Sequence, residues 1–196
     1  MLTLLMTEPA LTRSGPPPID VERLRAQDPL AFRAFVARHQ TEVFALASRI
    51  LGRGPHVQDV AQEAFVRAFK SLPSFDPNGP AKVSTWLLTI ATRVAIDERR
   101  RRRETVSVDD AGPIASFDTP DKAHARTELR RAIEQAAKEL PDDQCAALVL
   151  FEFHGMALRE IAEAVGVPEK TVKTRLFRAK EKMKASLNEF QSRSGT

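Results

Sequence analysis

Apolar side chains in this chain return at every third and fourth position almost throughout, and the alternation of a strand is nearly absent. That periodicity confines the fold to helices that each bury one face. The clearest stretch is Val57, Val60, Ala61, Ala64, Phe65, Ala68, Phe69 and Leu72, which stops at Pro73. Upstream, Phe35, Val36, His39, Val43, Leu46, Ala47 and Ile50 make a similar stripe, opened by Asp28-Pro29 and closed at Gly52 and Gly54. Downstream, Phe75 to Pro80 is a loop by composition, and Ser84 is placed to cap a third helix with Leu87, Ile90, Ala91 and Val94 inside.

From Glu104 to about His124 the spacing dissolves among Asp109, Asp110, Gly112, Pro113, Asp118, Pro120 and Asp121. It resumes at Leu129, Ile133, Ala136, Ala137 and Leu140; Pro141 with Asp142 and Asp143 then opens a helix that Gly155 ends. The expected fold is all-α: a disordered tail over 1–20 containing Pro16, Pro17 and Pro18, a helical domain over 21–103, a flexible acidic linker over 104–124, and a second helical domain over 125–190.

Charge sharpens this plan. The net charge of +4 says little, but its placement does. Arg99 to Arg103 are five consecutive arginines, and seven basic residues lie between Lys170 and Lys184 against the single acid Glu181. Two basic patches flanking an acidic strip suit a chain that grips a polyanion twice. A basic helix end that satisfies its own terminal carbonyls is the plainer reading of the arginines.

Leu158, Ile161, Ala162 and Val165 form the apolar face of a short helix ended by Gly166. Val172, Leu176, Ala179 and Met183 form that of a longer basic one. Short helix, tight turn and basic helix make a helix-turn-helix. With Val172 inward, Lys170, Lys173, Thr174 and Phe177 point outward and Arg178 lies at the flank. A phenyl ring among cations suits a thymine methyl, whereas a solvated face with one stray Phe is the plainer alternative.

The stretch ELPDDQCAALVLFEFHGMALREIAEAVGVPEKTVKTRLFRAKEKMK closely resembles the promoter-binding domain of the extracytoplasmic-function sigma factors. The resemblance implies that Thr171, Lys173, Thr174, Phe177 and Arg178 read the −35 element in the major groove. DVAQEAFVRAF resembles the family helix that docks on the β′ clamp of RNA polymerase, which assigns Asp59, Gln62, Glu63 and Val66 to that contact. FDPNGPAKVSTWLLTIATRVAIDERRRRR resembles the −10 recognition and melting segment. Its candidates are Phe75, Asn78, Lys82, Trp86, Thr89, Arg93, Ile96, Arg99 and Arg100, which would capture an unstacked base and hold the parted strand's phosphates. Trp86 is open between stacking on a base and packing in the core. Relatives usually carry Asn where this chain has Arg93; Arg offers donors and charge but no acceptor, so a phosphate contact is the alternative there.

The resemblance spans roughly residues 25–190 and implies a promoter-directing initiation factor. Its partners would be core RNA polymerase (β′ clamp and β flap), promoter DNA and an anti-sigma factor, with no cofactor and no small-molecule substrate. Neither metal spacing nor a catalytic constellation is present: His39, His56, His124 and His154 are scattered, and Cys145 is the only cysteine. That lone thiol and the lack of an export signal favour the cytoplasm. The rival reading is a helix-turn-helix repressor or activator that binds DNA without polymerase.

Overall fold

The computed structural model describes residues 19–52, 54–105 and 123–194. The expected tail and linker therefore lie, apart from their edges, outside the described residues. Among the described residues there is no strand. The elements are α1 (Val21–Arg25), α2 (Pro29–Leu51), α3 (His56–Ser71), a 3₁₀ turn at Leu72–Ser74, α4 (Val83–Thr105), α5 (Ala123–Glu139), α6 (Asp142–His154), α7 (Leu158–Val165) and α8 (Glu169–Ser194). The all-α expectation holds.

Local chemistry sets the boundaries. Asp28 caps α2 by accepting from the backbone N–H groups of Leu30 (2.8 Å) and Ala31 (3.2 Å), with Pro29 in the first turn. Periodicity did not announce α1. It is a single turn whose Leu24 is buried, capped by Asp20, and its Arg23 forks onto Asp28 at 2.9 and 2.6 Å. The Arg23 hydrogen bond, aided by the backbone N–H of Ala31, holds the Asp28 carboxyl below the usual range. At α4, Trp86 N–H donates to Lys82 O, so Lys82 rather than Ser84 stands at the helix entry.

Helices α2, α3 and α4 form one three-helix body. Phe35, Val43, Leu46, Ile50, Val57, Ala64, Leu72, Leu87 and Ala91 fill it. Phe32 meets Phe69 edge-on at 4.7 Å, and Phe35 meets Phe65 at 6.4 Å. The second body joins α5 to α8 around Leu140, Leu150, Ile161, Val172, Leu176 and Ala179.

These bodies touch, which the sequence reading did not foresee. α4 packs on α6 and α7, and α2 packs on α5 and α6. Glu42 of α2 lies 3.3 Å from His39 Nδ1 and 3.6 Å from His154 Nδ1 of α6. Burial pushes the His154 imidazole below its usual value, so the contact across the bodies is made by a neutral ring near pH 7.

Gly166 makes the turn of the helix-turn-helix. It sits at φ 70°, donates to Ala162 O at 2.9 Å, and Val167 N–H donates to the same oxygen at 3.1 Å. A Cβ there would meet nothing within 4 Å, so the cost of a side chain is backbone strain alone. Gly166→Ala is expected to lower the unfolding free energy by about 1–2 kcal/mol, and Gly166→Asn by less, read from urea midpoints at unchanged m.

Candidate nucleic-acid and polymerase interfaces

The outward face of α8 is built by the inward one. Val172, Leu176 and Ala179 are buried against Ile161 and Ala164 of α7, and this turns Lys170, Lys173, Thr174, Phe177 and Arg178 to solvent. Phe177 is 66% exposed. Thr171 is half-buried at the edge. Thr174 Oγ1 donates back to Lys170 O at 3.1 Å, and Lys173 Nζ lies 3.5 Å from Glu169 of the first turn.

Not every cation of the basic helix faces outward. Arg175 Nε reaches Asp143 of α6 at 2.8 Å, and Lys180 reaches Glu152 at 2.8 Å while lying 4.9 Å from the Phe151 ring. Those two side chains fasten α8 to α6. The patch presented to a polyanion is correspondingly smaller than the sequence count of seven.

On α3, Asp59, Gln62, Glu63 and Val66 share the exposed face, with Val66 45% exposed. Glu63 is held by Arg67 one turn on, at 2.7 Å.

The segment from Phe75 through α4 divides. Asn78 and Lys82 are exposed in a loop whose turn is set by Asp76: Asn78 N–H donates to Asp76 Oδ1 at 2.9 Å and Gly79 N–H to Asp76 O at 3.2 Å. Phe75 is buried, its ring 5.2 Å from that of half-buried Trp86. The Phe75 ring, a −10 candidate by sequence, is thus turned into the body and away from a strand, and half-buried Trp86 packs beside it. Thr89 is half-buried, with Oγ1 donating to Thr85 O at 2.9 Å. Arg93 and Arg100 are exposed.

Two residues placed on the outward face by sequence are corrected. Ile96 is buried, because α4 is covered on that side by the second body. Arg99 is 7% exposed and is a hub rather than a surface cation. Its Nε donates to Asp142 Oδ1 (2.8 Å), Nη1 to Ile50 O (2.6 Å) and Cys145 Sγ (3.0 Å), and Nη2 to Ala137 O (3.1 Å), Lys138 O (3.1 Å) and Leu140 O (2.7 Å). Arg103 shares Lys138 O and Leu140 O, each at 2.9 Å. The ends of α2 and α5, whose last carbonyls lack intrahelical partners, thus converge on one guanidinium. Burial also pushes the Cys145 thiol up, against the opposing pull of Arg99.

The described residues hold no cluster of three or more His, Cys, Asp or Glu able to take a metal ion, and no helix among them is long and apolar enough to cross a membrane.

What this arrangement of an exposed acidic helix face, a loop leading into a basic helix, and a helix-turn-helix amounts to is given by comparison. Residues 35–105 match sigma-70 region 2, and residues 130–183 match sigma-70 region 4. The chain is 33% identical over 178 residues to the RNA polymerase sigma-H factor of Pseudomonas aeruginosa, covering 85% of this chain and 91% of that one. It is 33% identical over 181 residues to the ECF RNA polymerase sigma factor SigW of Bacillus subtilis, covering 87% and 96%. Among solved structures, CnrH in complex with the cytosolic domain of CnrY aligns at TM-score 0.62 and 28% identity over 86% of this chain and 95% of that one. The chain belongs to the extracytoplasmic-function subfamily of sigma-70 factors, the subunits that direct RNA polymerase to −10 and −35 promoter elements and to DNA melting.

Proposed function

We propose the following division of labour within that activity. The α3 face of Asp59, Gln62, Glu63 and Val66 docks on the β′ clamp. Asn78, Lys82, Arg93 and Arg100, on the loop and α4, take the parted −10 strand. The α8 face of Lys173, Thr174, Phe177 and Arg178 sits in the major groove at −35. The observation that carries this reading is the α8 face itself, where exposed cations surround an exposed phenyl ring on the second helix of a helix-turn-helix. Cations on the loop and α4 supply phosphate contacts for a strand whose unpairing costs a few kcal/mol per base.

The test is run-off transcription from a promoter library with purified core RNA polymerase. Transcripts should start at defined promoters only when the chain is added, and DNA binding by the chain alone should be weak. Tight binding to one operator without polymerase would sink the proposal.

Docking has its own prediction. Val66→Ala should weaken binding to core polymerase about fivefold, equivalent to about 1 kcal/mol. Thermal stability should hold, because the side chain is exposed. Competition against a labelled copy of the chain measures it.

An anti-sigma factor belongs to the same reading. CnrH, similar to this chain over most of its length, is bound by CnrY. Here α2, α5, α6 and α8 line an apolar cavity of about 1080 Å³ with Ile50, Ile133, Leu148, Phe153, Met183 and Leu187, and an amphipathic helix of such a partner fits that lining.

A further inference from the structure

Gln27 is the one non-glycine residue at positive φ among the described residues, at 56°. It ends α1 in a Schellman turn: Asp28 N–H donates to Arg23 O at 3.0 Å, and Gln27 N–H to Leu24 O at 2.8 Å. The left-handed position of that turn usually falls to glycine, and a side chain there carries backbone strain. The side chain explains the exception. Its Nε2 donates to Phe69 O at 3.0 Å, 42 residues away in sequence. That carbonyl lies in the last turn of α3, and the N–H that would reach it from four residues on belongs to Pro73, which has none. Gln27 supplies the donor that Pro73 lacks.

This contact stands directly before the loop. Leu72 N–H donates to Ala68 O, the chain turns through Leu72–Ser74, and α1 packs on that turn with Leu24 and Leu72 both fully buried. Phe75 N–H then donates back to Leu72 O at 3.0 Å, and its buried ring beside Trp86 anchors the segment that carries Asn78 and Lys82. We infer that Gln27 is a positioning residue for capture of the −10 strand: its amide fixes where α3 stops, and so where the loop from Phe75 to Lys82 begins. The inference rests on the assignment of that loop to the −10 strand. Gln27 acts through Phe69 O and the turn rather than by touching DNA. A base leaving the stack is trapped only by groups already held in place, and α1 is what holds this loop's entry.

Gln27→Gly separates positioning from folding in the full chain. Glycine suits the left-handed backbone, so relief of strain offsets the lost hydrogen bond and the urea midpoint should stay close to the parent's. With core RNA polymerase and a duplex promoter, Q27G should give about tenfold fewer open complexes, read by permanganate reactivity of unpaired thymines near −10. Affinity for core polymerase should stay within about twofold. On a template already unpaired across −10, transcript should return to parental level, because capture no longer has to drive unpairing. Q27N, one methylene shorter, should resemble Q27G, whereas Q27K keeps a donor with the reach to Phe69 O and should recover most of the loss. Parental open complexes in Q27G, an equal fall on the pre-opened template, or a Q27K no better than Q27N would overturn the inference. So would a midpoint and a core affinity that fall together with the open complexes, since Gln27 would then serve folding alone. N78A and K82A read the strand assignment separately and should each lower open complexes severalfold. If both are normal, the assignment fails and the inference with it; if both fall and Q27G is parental, only the positioning is wrong.

Discussion

Arg99→Ala is expected to lower the unfolding free energy by about 3–5 kcal/mol, the usual cost of removing one partner of a buried ion pair, and to lower Tm by roughly 10 °C. The reason is what stays behind. Asp142 is 12% exposed and would keep only Arg103, at 3.1 Å, as a partner. Ile50 O would lose its 2.6 Å donor and Ala137 O its 3.1 Å donor, while Lys138 O and Leu140 O would keep Arg103 alone. Each unsatisfied buried acceptor costs about 1–3 kcal/mol on its own, so the total follows even after partial hydration of the site. Arg99→Met keeps the apolar stem and should recover only a fraction of the loss. Adding Asp142→Ala to Arg99→Ala should cost less than the two single changes summed, because the pair shares one contact. Thermal unfolding of the four proteins completes the cycle.

A second reading of the same variant uses Cys145, which lies 3.0 Å from the guanidinium and is buried. With Arg99 gone, the seam between the bodies loosens, and the thiol should react with a chromogenic disulfide at least tenfold faster than in the parent. An unchanged rate together with an unchanged Tm would mean that the hub holds nothing together.

The hub also shows where sequence reading succeeds and where it stops. The stripe from Val57 to Leu72 was legible because each of its side chains packs within a three-helix body, and period alone records that. Gly155 and Gly166 were legible as stops because both sit at positive φ, which glycine adopts without strain. Ile96 was misplaced for a definite reason. A helical wheel separates the face turned to one core from everything else, and cannot tell solvent from a second domain. The five arginines were misread likewise, as one patch. In the fold they divide: Arg99 is buried, Arg103 caps α5, Arg101 pairs with Glu98, Arg102 contacts His56, and Arg100 faces solvent. Their partners come from helices up to about fifty residues away in sequence, which no local pattern encodes. On α8 the wheel did better, since Lys173, Thr174, Phe177 and Arg178 are all exposed as expected. There the opposing apolar face is packed by α7 within the same small domain. Arg175 and Lys180 still escaped it, because their carboxylate partners Asp143 and Glu152 belong to α6.

That α8 face carries the largest functional effect we expect. Arg178→Ala and Lys173→Ala should each weaken −35-dependent promoter binding by the assembled polymerase by about 1–3 kcal/mol where a base is contacted, or roughly 5- to 150-fold. Stability should be nearly unchanged, since both side chains are exposed and Lys173 has only a surface partner in Glu169, the kind of ion pair that contributes little. Two further measurements separate base contact from phosphate contact. A phosphate contact weakens all promoters alike and lowers the slope of log affinity against log salt by about one unit; a base contact weakens the preferred −35 sequence and leaves mutated ones nearly unaffected. Phe177→Ala discriminates differently. An apolar ring against a thymine methyl has no salt dependence, so its loss should lower affinity only for promoters with thymine at one position, with the slope intact. If Phe177→Ala and Arg178→Ala both leave promoter binding within twofold on every −35 sequence, α8 does not lie in the groove as proposed.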